Sequence, residues 1–332
     1  MLEPFARRTW SAATPGTRAL RDALVPASLA YRGAVALRNR LYDGGWLAAA
    51  RVPARVVCVG NLAVGGTGKT PLVLWLAERL ALRGRRVAIV ARGYGKTRAG
   101  VVVVGADGRA LVGPEEGGDE AVMLARRFAG PVVTGERRAD AAALACRRFG
   151  VDTIVLDDGF QHRALARDVD VVVLGPGDER AWCLPAGPLR EPPAALRRAR
   201  AAVVLGDAPA DGSAGPPRFR GRVALDGVVG AAQTIAGREV VAVAGIGRPE
   251  RFLAAVAAAG ATVAAHVLFP DHHAYTDSDA ARIRTAAGGR LVVTTEKDAV
   301  KLERFADVAP LAALRVRVEL DDGDAFVDLV ER

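Results

Sequence analysis

The chain has 332 residues, a net charge of +9 and a pI near 10.1, with 51% hydrophobic and 25% charged residues. That length holds two α/β domains, each able to bury a core, and the composition is that of a globular protein without internal repeats. No stretch approaches the roughly 20 apolar residues that span a bilayer, and Cys58, Cys146 and Cys183 are too dispersed for a disulfide framework or a metal site, as in a reducing cytosol.

The positive charge predicts an anionic partner: a nucleotide, a phosphorylated lipid, a membrane surface or nucleic acid. Almost all of it is arginine. Lysine occurs only at Lys69, Lys96, Lys297 and Lys301, so Lys69, inside a glycine-rich loop, points to a chemical requirement more than to a surface accident.

At the N-terminus, Arg7, Arg8, Arg18 and Arg21 precede a segment in which Ala30, Ala34, Leu37 and Leu41 fall on one helical face. Two readings fit it, a helix lying in a membrane interface or an amphipathic helix packed on the domain. No cleavable leader is expected, because no apolar core precedes a small-residue cleavage site.

The stretch that organises the chain follows. Arg55 to Val59 predicts a buried strand, and Leu72, Leu74, Trp75, Leu76 and Leu80 recur at helical spacing up to Gly84. Between them runs Gly60-Asn61-Leu62-Ala63-Val64-Gly65-Gly66-Thr67-Gly68-Lys69-Thr70-Pro71. Strand, glycine-rich turn and Gly-Lys-Thr opening a helix is the context of a phosphate-binding loop. Its glycines let backbone N–H groups face an anion at a helix N-terminus. Lys69 then reaches the β- and γ-phosphates and the Thr70 hydroxyl ligates Mg²⁺. The pattern is shifted: Ala63 stands where a glycine is usual, and glycines occupy 65 and 66.

Further strands are predicted at 86–90, 101–104, 131–134, 153–156, 170–174 and 201–205, with helices from Gly117 and over 138–149. After a glycine- and proline-rich linker at 206–221, strands at 240–244, 262–268 and 291–294 alternate with helices at 249–259, 277–287 and from Thr295. The alternation predicts an α/β fold: a P-loop NTPase-type, doubly wound parallel sheet with a second, smaller α/β domain and an N-terminal amphipathic helical segment. The expected divisions are 1–50, 51–225 and 226–332.

Asp157 and Asp158 end the strand at 153–156, where a nucleotide-binding sheet holds Mg²⁺. Asp119 and Glu120 open a helix, as acids do for electrostatic reasons alone; beside a phosphate site such a carboxylate also serves as the base for an attacking hydroxyl. Spacing does not choose between these. His272 and His273 lie in a polar loop, which reads most simply as a surface pair.

Together these stretches resemble one family, the tetraacyldisaccharide 4′-kinases of lipid A biosynthesis in Gram-negative bacteria. The resemblance rests on Val59 to Pro71, Arg92-Gly93-Tyr94-Gly95, Gly118-Asp119-Glu120-Ala121 and Asp157-Asp158-Gly159-Phe160-Gln161-His162. It continues through Leu184-Pro185-Ala186-Gly187, Leu189-Arg190-Glu191-Pro192, Phe269-Pro270-Asp271-His272-His273 and Thr294-Thr295-Glu296-Lys297-Asp298. The shifted glycines are then a family trait. Ala91, where many members have serine, is a minor departure.

The resemblance implies ATP and Mg²⁺ as cofactors and phosphorylation of the 4′-hydroxyl of tetraacyldisaccharide 1-phosphate. It implies Asp119 as general base, with His272 pairing with it and raising its proton affinity, and Lys69 as the third catalytic group. Asn61, Gly65, Gly66, Thr67, Gly68, Lys69, Thr70, Arg138 and Gln161 are the implied nucleotide contacts, and Thr70, Asp157, Asp158 and Glu191 the implied metal ligands. It implies a peripheral enzyme on the cytoplasmic face of the inner membrane, with a lipid substrate and no nucleic acid; the oligomeric state stays open. The competing reading is a P-loop ATPase switch that binds a protein or nucleic-acid partner.

Overall fold

The structure, a computed structural model, describes residues 9–10, 14–65, 68–206, 215–305, 308 and 310–332. Arg7, Arg8, Gly66, Thr67 and residues 207–214, half of the expected linker, lie outside these. The chain forms two compact units. One comprises the described residues of Met1–Lys69, Asp152–Arg222 and Leu320–Arg332, the other those of Thr70–Val151 and Val223–Glu319.

In the first unit, strand Arg55–Asn61 is buried from its second residue onward and is paired in parallel on both sides, with Thr153–Asp157 and with Val169–Leu174. A strand covered on both faces has no solvent side to keep polar, hence the unbroken Val-Val-Cys-Val run. Ala201–Leu205 extends the sheet in parallel and Arg218–Gly221 follows it. The register sets Asp157 beside Val59, so the acid pair ends level with the start of the glycine-rich loop. Gly60 is required there, since a Cβ would lie 2.5 Å from the Phe160 Cβ and 2.9 Å from its amide nitrogen.

The N-terminal helix runs Pro15–Asp43, capped by Thr14 in a reciprocal capping box with Thr17. It packs on its own unit through Ser28, Val35 and Asn39, which are buried. Tyr31 Oη donates to the Arg190 carbonyl at 3.0 Å, and Ser28 Oγ donates to the Leu184 carbonyl at 3.1 Å. The Ala30–Ala34–Leu37–Leu41 stripe is not the packed face: its first three residues are exposed, Leu37 at 59%, and Leu41 is half-buried. No helix of the described residues is long and apolar enough to cross a membrane.

In the second unit, Val87–Ala91 pairs in parallel with Val132–Thr134, which pairs antiparallel with Val102–Ala106. Four further strands lie in the order Thr262–Leu268, Glu239–Ala244, Leu291–Thr295, Leu311–Leu320, all parallel. Alternate residues of Glu239–Ala244 feed two cores: Val240, Ala242 and Ala244 meet Phe252 and Val256, while Val241 and Val243 meet Ile283, Tyr275 and Leu302. Helices on both faces of a parallel sheet are what the strand–helix alternation predicted.

Among the elements that escape the sequence reading are strands Arg218–Gly230 and Leu311–Leu320 and helix Gly323–Glu331. The first starts inside the expected linker. Its residues are half-buried or exposed, with Arg218, Arg220 and Arg222 in alternation and Gly221, Gly227 and Gly230 interrupting the run, so it carries no apolar signature.

Candidate active site

Two sets of polar side chains are assembled, one in each unit. In the first unit Lys69, the first residue of helix Lys69–Leu82, donates to Asn61 Oδ1 at 3.0 Å and pairs with Asp158 Oδ1 at 3.1 Å. Gly65 and Gly68 have φ of 103° and 83°, the left-handed backbone that a phosphate-cradling turn needs. Gln161 Nε2 donates to the Asn61 carbonyl at 2.9 Å, and Arg190 Nη1 donates to both Asp158 oxygens at 3.0 and 2.9 Å.

Burial pushes the Asp158 carboxyl up, but Lys69 and Arg190 outweigh it and hold the group below the usual carboxylate range. Asp158 also has φ of 50°, an uncommon conformation for a non-glycine residue. Asp157 is 5% exposed at the strand end. Glu191 is fully buried. Its Oε2 accepts from Asn39 Nδ2 at 2.7 Å and from Arg198 Nη1 at 2.8 Å, and its Oε1 from Arg198 Nη2 at 3.1 Å. Both oxygens are thus engaged by the protein. Arg138, opening helix Arg138–Phe149 in the second unit, is buried and donates to the Glu136 carbonyl at 3.0 Å; Thr70 is the second residue of helix Lys69–Leu82.

In the second unit Asp119 opens helix Asp119–Arg127 and is 6% exposed. The preceding Gly118 has φ of 88°, and a Cβ there would sit 3.0 Å from Gly93 and from the Tyr94 carbonyl. Two glycines therefore let the Gly93-Tyr94-Gly95 loop lie against the helix start. Asp119 Oδ1 accepts from the Glu120 N–H at 2.9 Å; Oδ2 stands 3.2 Å from His272 Nδ1 and 3.4 Å from Lys301 Nζ. The far ring nitrogen, His272 Nε2, stands 3.1 Å from Lys297 Nζ, which also pairs with Asp271 at 3.0 Å and Glu120 at 3.4 Å. Tyr94 stacks at a tilt on the imidazole, centroids 4.5 Å apart. His272 itself has φ of 57°.

Burial alone would raise the Asp119 carboxyl, yet the His272 hydrogen bond with Lys297 and Lys301 lowers it to about 2. The sequence reading expected His272 to raise the proton affinity of Asp119. The direction is the reverse, because the imidazole itself stabilises the carboxylate and two ammonium groups add to it.

These features can be set against known proteins. A sequence profile described as Tetraacyldisaccharide-1-P 4'-kinase matches residues 20–332. The chain belongs to this family. It is 47% identical over 323 residues to the tetraacyldisaccharide 4'-kinase of Anaeromyxobacter dehalogenans strain 2CP-C, covering 88% of this chain and 84% of that one. It is 41% identical to the enzyme of Syntrophus aciditrophicus, covering 98% and 96%. Among solved structures it resembles the Aquifex aeolicus LpxK crystallised with ATP: TM-score 0.83, 34% identity, 94% of this chain and 99% of that one. Like its relatives, this tetraacyldisaccharide 4'-kinase family member is an α/β enzyme of the kinase class.

Of the residues singled out in the sequence of this family member, Asn61, Lys69, Asp158 and Gln161 form one connected set, and Asp119 and His272 another. Lys297 and Lys301 join the second set and Arg190 the first, and none of the three is among the site residues the sequence predicts. A signal for the first two was present: they are half of the four lysines, and the scarcity that marked Lys69 marks them equally. Their spacing puts both on one face of helix Glu296–Leu302, which Thr295 caps by accepting from the Asp298 N–H.

Proposed function

We propose that the protein transfers the γ-phosphoryl group of ATP to the 4′-hydroxyl of tetraacyldisaccharide 1-phosphate, giving lipid IV-A. The observation that carries this reading is the buried Asp119–His272 pair. An ATPase that only switches between states needs a phosphate loop and a positioned water; a carboxylate held ionised by an imidazole and two lysines suits an alcohol acceptor.

Lys69, in reach of Asn61 and Asp158, is placed to move its ammonium onto the β- and γ-phosphates. Mg²⁺ fits the chemistry of the residues present. Asp157 offers a hard carboxylate oxygen at the strand end, Thr70 a hydroxyl at the start of its helix, and this ion takes one or two protein oxygens plus phosphate and water. When bound it neutralises charge developing on the transferred group. We assign Glu191 a structural part beside this site, since Arg198 and Asn39 saturate it.

The acceptor oxygen attacks the γ-phosphorus, the bond to the β–γ bridging oxygen breaks, and the hydroxyl proton goes to Asp119. A carboxylate with a pKa of about 2 is a weak base. A loose transition state asks little more, because the acceptor proton becomes acidic only as the new P–O bond completes.

We also place the enzyme peripherally on the cytoplasmic face of the inner membrane. The support is the exposed Ala30–Ala34–Leu37 stripe with exposed Arg18, Arg32 and Arg40 around it, and Trp46 82% exposed just beyond the helix. Radiolabelled ATP incubated with and without the lipid disaccharide tests the reaction. Label in the lipid is the expected result; hydrolysis to free phosphate, indifferent to the lipid, would favour the switch reading.

A further inference from the structure

His272 has two ring nitrogens, and the structure surrounds them unequally. Nδ1 faces the Asp119 carboxylate at 3.2 Å, and Nε2 faces Lys297 Nζ at 3.1 Å. Asp119 is ionised and can only accept. Lys297 keeps its proton: burial works against the ammonium, but Glu120, Asp119 and Asp271 around it push its pKa up. An ammonium can only donate. The Nε2 lone pair must then be free, and the ring proton must sit on Nδ1.

We propose that Lys297 is the positioning residue of the dyad, selecting the neutral His272 tautomer that carries its proton on Nδ1. This rests on the kinase reading for its role in turnover, but not for its geometry. In that tautomer Nδ1 cannot take a proton from Asp119, and Nε2 is covered by Lys297. The acceptor proton therefore stops on Asp119, and His272 serves to orient that carboxylate. Protonating Nε2 sets an imidazolium against an ammonium 3.1 Å away, so Lys297 opposes the charged ring, although Asp119 and Glu120 outweigh it and hold the ring above its ordinary value. The groups facing His272 are Asp119 and Glu120 from helix Asp119–Arg127, Asp271 from its own loop, Lys297 from helix Glu296–Leu302 and Tyr94 from the glycine loop. Lys301 acts on Asp119, held there by Asp298 at 3.0 Å and the His273 carbonyl at 3.1 Å.

The test is nitrogen NMR of the full chain labelled at its four histidines, with His272→Asn identifying the signal. On the neutral limb the His272 resonances should report a protonated Nδ1 and a bare Nε2. In Lys297→Met the titration midpoint should rise by about one pH unit as the opposing charge is lost, and Lys297→Arg should keep the wild-type midpoint and tautomer. In kinetics, Lys297→Met should lower kcat roughly tenfold and move the acid limb of the rate profile upward, leaving KM for ATP unchanged. A neutral ring protonated on Nε2 in the wild type, or an unmoved midpoint in Lys297→Met, would overturn the proposal. The wild-type spectrum decides the tautomer even if that variant does not fold. Absent phosphorylation of the lipid by wild type would instead count against the kinase reading.

Discussion

Asp119 is a single carboxylate facing an imidazole and two ammonium groups. Its ordinary value is 3.8 and its folded value about 2. A lowered folded pKa means stability that is complete above the unfolded value and drains away as pH falls from about 4 through 2, on the order of 2 kcal/mol in all. Asp119→Asn should therefore unfold in urea less steeply with acid across that window than wild type, while being weaker than wild type at pH 7. Urea midpoints measured at half-unit steps from pH 2 to 7 check this; parallel curves for the two proteins would show that the pairing does not stabilise the fold. The strained residues belong to the same picture. Among the described residues only three non-glycines have positive φ, and two are Asp158 and His272. Such conformations persist where surrounding contacts over-determine them, as Lys69 and Arg190 do for one and Asp119 and Lys297 for the other.

At the scale of elements, the N-terminal helix is held by its polar face, which frees its apolar one. Asn39 reaches Glu191, Tyr31 and Ser28 bind backbone carbonyls, and Arg163 Nη1 donates back to the Asn39 carbonyl at 2.9 Å. Removing Glu191 takes the carboxylate from the half-buried Arg198 guanidinium and the buried Asn39 amide, so Glu191→Ala should cost about 3 kcal/mol in chemical denaturation. A cost below 1 kcal/mol, with a large rise in the Mg²⁺ requirement, would make Glu191 a metal ligand instead. On the outer face, the pair Ala34→Glu and Leu37→Glu should weaken sedimentation with anionic vesicles at least tenfold while changing stability by less than about 0.5 kcal/mol. Equal sedimentation of variant and wild type would remove the stripe from the membrane account. Sequence periodicity located this face correctly as an apolar stripe. It could not say whether protein or solvent covers it, because the packing face is mostly polar, with Ser28, Tyr31 and Asn39 beside Val35, and makes no second apolar stripe.

Over the whole molecule, the parallel strands were legible wherever burial on both faces forces a run of Val, Ile and Leu, as at 55–59, 153–156 and 201–205. Strands Arg218–Gly230 and Leu311–Leu320 were not, since one is rich in arginine and glycine and the other alternates Arg315, Val316, Arg317 and Val318. The phosphate loop was legible because it is contiguous. The acid–base set was legible only in part: Asp119 and His272 are 153 positions apart, and no local spacing announces that Lys297 and Lys301 complete them. The fold brings four short motifs to one carboxylate, and an ion-pair network is invisible until it does.

In the proposed reaction Asp119 takes the proton of the lipid hydroxyl as the ATP phosphoryl group is transferred, and other residues bind the nucleotide. One measurement bears on it most directly: acceptor-dependent transfer by Asp119→Asn beside wild type, with ATP affinity titrated on both. The account predicts a fall of at least about a hundredfold in transfer and an ATP affinity within about twofold of wild type. Transfer at the wild-type rate, or loss of ATP binding in step with activity, would contradict it.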